Sequence, residues 1–407
     1  MRKFILASTI ILASSANADD FNIKFLGGFD FQAGYLKSNA PSSNPKDAKA
    51  KPNYVSENQK NHAFSTSSYM AIEAKNTLDS GMVYGTKIGL DTTTKTSRKH
   101  QSSIFVETEA GRLELGSDKS AMTKMRITPF SIAAATAGLW DVWVKGDPLG
   151  TPDNQIPYAM NFTNFLDSKM RLPNKVEYSR KVTYYTPEYK GIQIGISYIP
   201  DSANVGYSEI KDTAIKHKPI YADYYYAVKN GFAGGITYNG KIADLGIKLA
   251  AVGEMGKVIA TPKAMNEDAD TKPPKAEAKL PTKFRKLKNY TIGAQVEYKD
   301  LSLAASYGDY MRSFTSEKDT DPSTEIYGFG AAYKFDKLKT SITYFGSTHR
   351  KNAISATTLA VDYKLAPGLL PYAEVTTFNA KGRHVGKDET KKSHKGFLVL
   401  TGAKIEF

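Results

Sequence analysis

YGFGAAYKFDKLKTSITYF, residues 327–345, is the stretch on which the fold turns. Aromatic residues recur at alternate positions up to Phe335, Asp336-Lys337 make a turn, and a second alternating run follows. Side chains of a strand point alternately to its two faces, so this is a tight hairpin with one greasy face. The same unit recurs along the chain, as 181–198 (KVTYYTPEYKGIQIGISY), 235–251 (GITYNGKIADLGIKLAA), 292–307 (IGAQVEYKDLSLAASY) and 357–375 (TTLAVDYKLAPGLLPYAEV). Earlier versions are 69–90 (YMAIEAKNTLDSGMVYGTKIGL) and 103–116 (SIFVETEAGRLELG).

Working outward, residues 21–35 alternate Phe21, Ile23, Phe25, Phe29, Phe31, Ala33 and Tyr35 against Asn22, Lys24, Asp30 and Gln32, and residues 395–407 repeat the pattern to Phe407. The reading gives about sixteen strands, from 21–36 to 395–407, with strand six at 174–187 and strand eight at 231–239. Connections alternate between very short and long. A water-soluble sandwich gives no reason for that asymmetry, whereas an outer-membrane barrel has short turns on one rim and long external loops on the other. Tyr185, Tyr238, Tyr298, Tyr333 and Tyr363 each stand close before a short turn, which predicts a girdle of phenols at one depth. The opposite parity carries Thr291, Gln295, Glu297, Ser302, Ser306, Thr343, Asp362 and Glu374, a face that suits water. The fold expected is a sixteen-stranded antiparallel transmembrane β-barrel, too wide to be filled by side chains.

Composition narrows the function. No run reaches the eighteen or so apolar residues a membrane-spanning helix needs, and 25 Tyr with 19 Phe are too many aromatics for a chain that buries nothing. The absence of cysteine excludes disulfides and thiolate metal sites. Met1-Arg2-Lys3, the apolar stretch Phe4 to Leu12 and Ala16-Asn17-Ala18 read as a signal peptide over 1–18, leaving a barrel over 19–407. The protein is then expected outside the cytoplasm, with no nucleic-acid partner. The formal charge of +14 concentrates in loops: residues 257–288 carry nine basic and four acidic side chains, and residues 381–395 six and two. Such loops would meet anionic lipopolysaccharide and favour anions in a vestibule. The six histidines, His62, His100, His217, His349, His384 and His394, lie in or near loops with no metal-ligand or nucleophile-base spacing, so neither an enzyme nor a metal or other cofactor is expected.

The pattern resembles the trimeric general porins of Gram-negative outer membranes. The resemblance rests on IFVETEAGRLELGS at 104–117, NKVEYSRKVTYYTPEYKGIQIGISY at 174–198 and the terminal Phe407, with the signal peptide and loop alternation beside them. It implies a homotrimer, a third loop folded into the channel as a constriction, and recognition of Phe407 by the barrel assembly machinery. Passive diffusion of small hydrophilic solutes and inorganic ions is the function it implies.

Loop three would be 118–173, with both tryptophans, Trp140 and Trp143, and the apolar run SIAAATAGLWDVW at 131–143. Its candidate constriction acids are Asp141 and Asp147, then Asp118 and Asp153. The facing basic wall would be Lys24, Arg112, Lys175, Arg180 and Lys181, although Gly28, Tyr69 and Ser102 stand where the family pattern would place further basic residues. Arg112 and Glu114 share a parity and are free to pair. A substrate-selective channel and a structural or adhesive surface barrel are the alternatives; saturable conductance would mark the first, and host-protein binding with poor conductance the second.

Overall fold

The computed structural model describes residues 21–38, 61–91, 99–136, 138, 143–144, 178–202, 224–262, 283–315, 317, 323–349, 352–383 and 391–407. Sixteen strands run in chain order: β1 Asn22–Ser38, β2 His62–Thr77, β3 Val83–Asp91, β4 Lys99–Thr108, β5 Gly111–Ser117, β6 Arg180–Tyr185, β7 Ile192–Asp201 and β8 Tyr224–Ile242. Then follow β9 Leu245–Pro262, β10 Leu287–Tyr298, β11 Leu301–Asp309, β12 Glu325–Phe335, β13 Leu338–His349, β14 Asn352–Tyr363, β15 Leu369–Arg383 and β16 Lys391–Glu406. Each strand pairs antiparallel with the next, and β1 pairs with β16, so the sheet closes without an edge. Phe407 completes the seam by exchanging backbone hydrogen bonds with Gly27 at 2.8 and 3.0 Å.

Parity settles inside and outside. Phe25, Phe29, Ile104, Ile194, Phe329, Leu359 and Ile405 are exposed, and together they form a band of hydrocarbon facing lipid. Glu107 shares the face of Phe105 while Ile104 and Val106 point outward. Tyr298, Tyr333 and Tyr363 lie outward as the girdle requires, and Tyr238 shares the parity of outward Phe232 and Ile236. Tyr185 does not join them. It is buried on the inward parity of β6, and the girdle position belongs to its neighbour Tyr184.

Two elements depart from the expected bounds. β6 begins at Arg180, while β8 reaches back to Tyr224 because a bulge between Lys229 and Phe232, with Asn230 at φ 49°, shifts the parity. Buried Val228 and buried Ala233 therefore face the same way although their numbers differ by an odd step.

The inward face is polar over only part of its height. Along β15 it runs Tyr372, Glu374 and Thr376, then Phe378 and Ala380; along β16, Lys404 gives way to Leu400 and Leu398. The apolar upper parts, with Leu36, Ile326, Phe345 and Ile354, join Met122, Met125, Trp143 and Val144 of the β5–β6 connection in one buried cluster. An apolar core thus sits inside the barrel, on its long-loop side.

An arginine on the lipid face has no such shelter. Leu359→Arg, at a 57% exposed outward position, is expected to cost about 2–4 kcal/mol in reversible unfolding from lipid vesicles, whereas Ser302→Arg on the inward face stays near zero.

Candidate functional site

The β5–β6 connection leaves the wall at Ser117 and folds at once into a short helix, α1 (Ala121–Met125). Ser120 caps α1 by accepting from Thr123 N, and Ala121 N donates to Ser197 Oγ of β7 at 2.8 Å. A 3-10 turn at Pro129–Ser131 follows, with Ser131 Oγ 3.1 Å from Gln295 Oε1 of β10. The backbone then meets inward side chains of four successive strands. Ala134 N donates to Ser341 Oγ of β13 (2.8 Å), Ala135 N to Asp362 Oδ2 of β14 (3.0 Å), and Thr136 N and Oγ1 to Glu374 Oε2 of β15 (3.2 and 2.8 Å). In return, Lys339 Nζ donates to Ala133 O at 3.1 Å and Lys404 Nζ of β16 to Ala135 O.

Trp143 carries the series to the seam. Its Nε1 donates to Gln32 Oε1 of β1 at 2.8 Å, Gln32 Nε2 donates to Asp30 Oδ2, and Tyr372 Oη donates to Asp30 Oδ1. The indole is wholly buried over Gly34, where a Cβ would lie 2.4 Å from the ring. Gly34 is glycine for that reason. The described residues of the connection thus touch the inner wall from β7 to β1, and charged wall residues satisfy its backbone.

At the start of the connection three carboxylates pair with two cations, and a third cation binds backbone carbonyls. Arg112 Nε pairs with Glu114 at 2.8 Å and its Nη1 with Glu107 at 3.0 Å, and the guanidinium stacks over Phe105. Lys124 bridges Glu114 and Asp118, the latter at 2.8 Å. Lys181, buried, donates to Asp118 O and to Ser179 O at 2.8 Å. Burial alone would raise the Asp118 carboxyl, but the Lys124 charge, with donors from Lys124, Lys119 N and Gln101, holds it below the usual carboxylate range. Burial likewise works against the Lys124 ammonium, yet Asp118 and Glu114 raise it above its ordinary value.

The expected site residues therefore separate. Asp118 sits in this compensated cluster with Arg112 and Lys181. Lys24 lies apart, exposed on the inward parity of β1. Arg180 cannot share a face with Lys181, its neighbour in the strand, and takes the outward parity of Val182 and Tyr184. Asp141, Asp147, Asp153 and Lys175 lie outside the described residues, as do Trp140, the 1–18 segment and most of both lysine-rich loops. The residues that grip the connection, namely Gln32, Lys339, Asp362, Glu374 and Lys404, are charged or amide groups on inward positions, and that inward parity was the signal for them.

A family model described as Gram-negative porin matches residues 5–383. Uncharacterized proteins of Rickettsia bellii and Rickettsia conorii are 33% and 31% identical over 453 and 454 aligned residues, spanning the whole of this chain and of each relative. Among solved structures, the anion-selective porin from Comamonas acidovorans superposes with a TM-score of 0.57 at 15% identity, covering 95% of this chain and 100% of that one. The trimer form of OmpT from Vibrio cholerae gives 0.54 at 12%, with 96% and 100% covered. At such identities these two show the shared fold.

The Asp118–Lys124 latch has a pH window. A carboxyl lowered by folding stabilises above its unfolded value of about 4 and loses that as pH falls through the folded one, while a raised lysine stabilises below about 10.4 and loses it as pH rises through its own. Lys124→Met should loosen the connection by about 1–3 kcal/mol at neutral pH, read as faster amide exchange at residues 119–126, and the difference from wild type should shrink in acid.

Proposed function

Because this chain belongs to the Gram-negative porin family, we propose that the outer-membrane channel it forms is a trimeric, passive route for small hydrophilic solutes and ions, narrowed by the β5–β6 connection. The observation that carries this reading is the sequence of wall contacts from Ser197 round to Gln32, which ties a loop to the inner face of a closed barrel at the depth of polar wall residues. A loop held that way occupies cross-section. Its apolar side chains are matched to the apolar upper wall, and its backbone to charged side chains below.

Diffusion through such a path needs no turnover. Taking a bare ion into hydrocarbon costs on the order of 20 kcal/mol, and a wet lumen avoids this by leaving the solute hydrated. Size is then screened where the loop narrows the lumen, and sign by nearby charge.

Charge favours a modest anion preference. Lys24, Lys75, Lys87, Lys241 and Lys334 take inward positions without an ion-pair partner among the described residues, against Glu73 and Glu406. Lysines outnumber carboxylates among the lumenal charges free to act on a passing ion. The trimer is supported by the low wall of β3 to β6, strands of nine, ten, seven and six residues against 19 and 18 in β8 and β9. A neighbouring subunit would cover that low sector. Phe407, outward and 68% exposed, stays accessible for recognition by the assembly machinery.

Single-channel recording in planar bilayers tests the reading. Steps grouped in threes and a reversal potential showing chloride moderately more permeant than potassium are expected, and deletion of residues 136–150 should enlarge each step. Unchanged steps after the deletion would remove the loop from the permeation path.

A further inference from the structure

The wall contacts of the described residues skip one sector. Among the described residues, the connection makes no hydrogen bond to an inward side chain of β2 or β3, and there the inward face shows Ser65, Ser67, Tyr69, Glu73 and Lys87. Tyr69 is anomalous. Other large apolar or aromatic side chains at least 36% exposed on described strands take the lipid-facing parity, whereas Tyr69, at 51%, stands on the inward one. Its ring lies against Gly28, its register partner on β1, where a Cβ would come within 2.5 Å of it. At 51% exposure on the inward parity, the remainder of the ring is accessible.

Four residues along β2 from Tyr69, about 13 Å at strand rise, Glu73 is in register with Lys24 of β1 and with Lys87 of β3. The row reads cation, anion, cation across three adjacent strands spaced about 5 Å apart. These ions are idle. Many other inward charges are engaged: Arg112 with Glu107 and Glu114, Lys248 with Glu297 at 3.1 Å, Lys339 and Lys404 with loop carbonyls, and Asp362 and Glu374 with loop donors; Lys75, Lys241, Lys334 and Glu406 are unengaged too, but none of them makes a three-strand row of alternating sign. Lys24, Glu73 and Lys87 have no ion-pair or hydrogen-bond partner among the described residues.

We propose that Tyr69 and the Lys24–Glu73–Lys87 row form a solute-contact site for short zwitterionic peptides carrying an apolar or aromatic side chain. An ammonium on Glu73 and a carboxylate on a flanking lysine would orient the solute across the strands, and its ring would lie against the accessible part of the Tyr69 ring. Neutral solutes lack the first contact, and small inorganic ions lack the second. The site rests on the channel reading and adds a preference to it.

The test uses the refolded full-length barrel in planar bilayers with glycyl-glycyl-phenylalanine as the probe. The peptide should interrupt the KCl current, with a half-blocking concentration raised about five-fold in Tyr69→Ala and in Glu73→Gln. Tyr69→Phe keeps the ring and should keep the block, which separates loss of contact from misfolding. Lys299→Gln, in the turn between β10 and β11, should leave block unchanged, and the acetylated, amidated peptide should block less than the zwitterion. A normal KCl current with equal block in wild type and Tyr69→Ala, or with equal block by the capped peptide, would overturn this site while leaving the channel standing. Absence of any KCl current from the folded barrel would overturn the channel reading and the site with it.

Discussion

Backbone amides in hydrocarbon have no water to turn to, and a sheet that leaves none unpaired must close on itself. The β1–β16 seam, finished by the Gly27–Phe407 backbone pair, meets that requirement here. Closure makes side-chain parity a division between lipid and lumen. Phe29 and Ile405 are exposed on one side of the seam, and Asp30 is buried on the other beside its register partner Lys404.

A closed sixteen-stranded wall encloses more volume than its own side chains fill, and the β5–β6 connection uses part of it. Its backbone would be costly to bury unbonded, and the wall supplies the partners: Ser197, Ser341, Asp362 and Glu374 accept, while Lys339 and Lys404 donate. Those residues are consequently occupied by structure. Arg112, Lys124 and Lys181 are likewise held by Glu107, Glu114 and Asp118. Charge left to act on a permeating ion then comes from inward groups without such partners among the described residues, Lys24, Glu73 and Lys87 among them.

The barrel was legible because alternation, turns and loop lengths are local properties. β12, Glu325–Phe335, and β13, Leu338–His349, flank the Asp336-Lys337 turn read within 327–345. Legibility failed where parity broke, at the Asn230 bulge, and where two tyrosines stood side by side, since Tyr184 and Tyr185 cannot both face lipid. It failed again for the site. Arg180 and Lys181 look like one basic patch in sequence but face opposite ways, and Asp118 reads as a free loop acid until Lys124 is seen beside it. Contacts between Thr136 and Glu374, 238 residues apart, leave no trace in local pattern.

On the proposed path, water and solute pass beside the β2–β3 sector, to whose inward side chains the described residues of the connection make no hydrogen bond, while those residues line much of the remaining wall. The chain has no cysteine, so a single introduced thiol reports its own exposure to the lumen. Tyr69→Cys should react with a small charged methanethiosulfonate reagent and drop the open-channel current in discrete steps, whereas Ser341→Cys, at 8% exposure beneath Ala134, should stay silent. Rapid modification at Ser341→Cys with none at Tyr69→Cys would overturn that path, because the water would then run along the wall beneath Ala134.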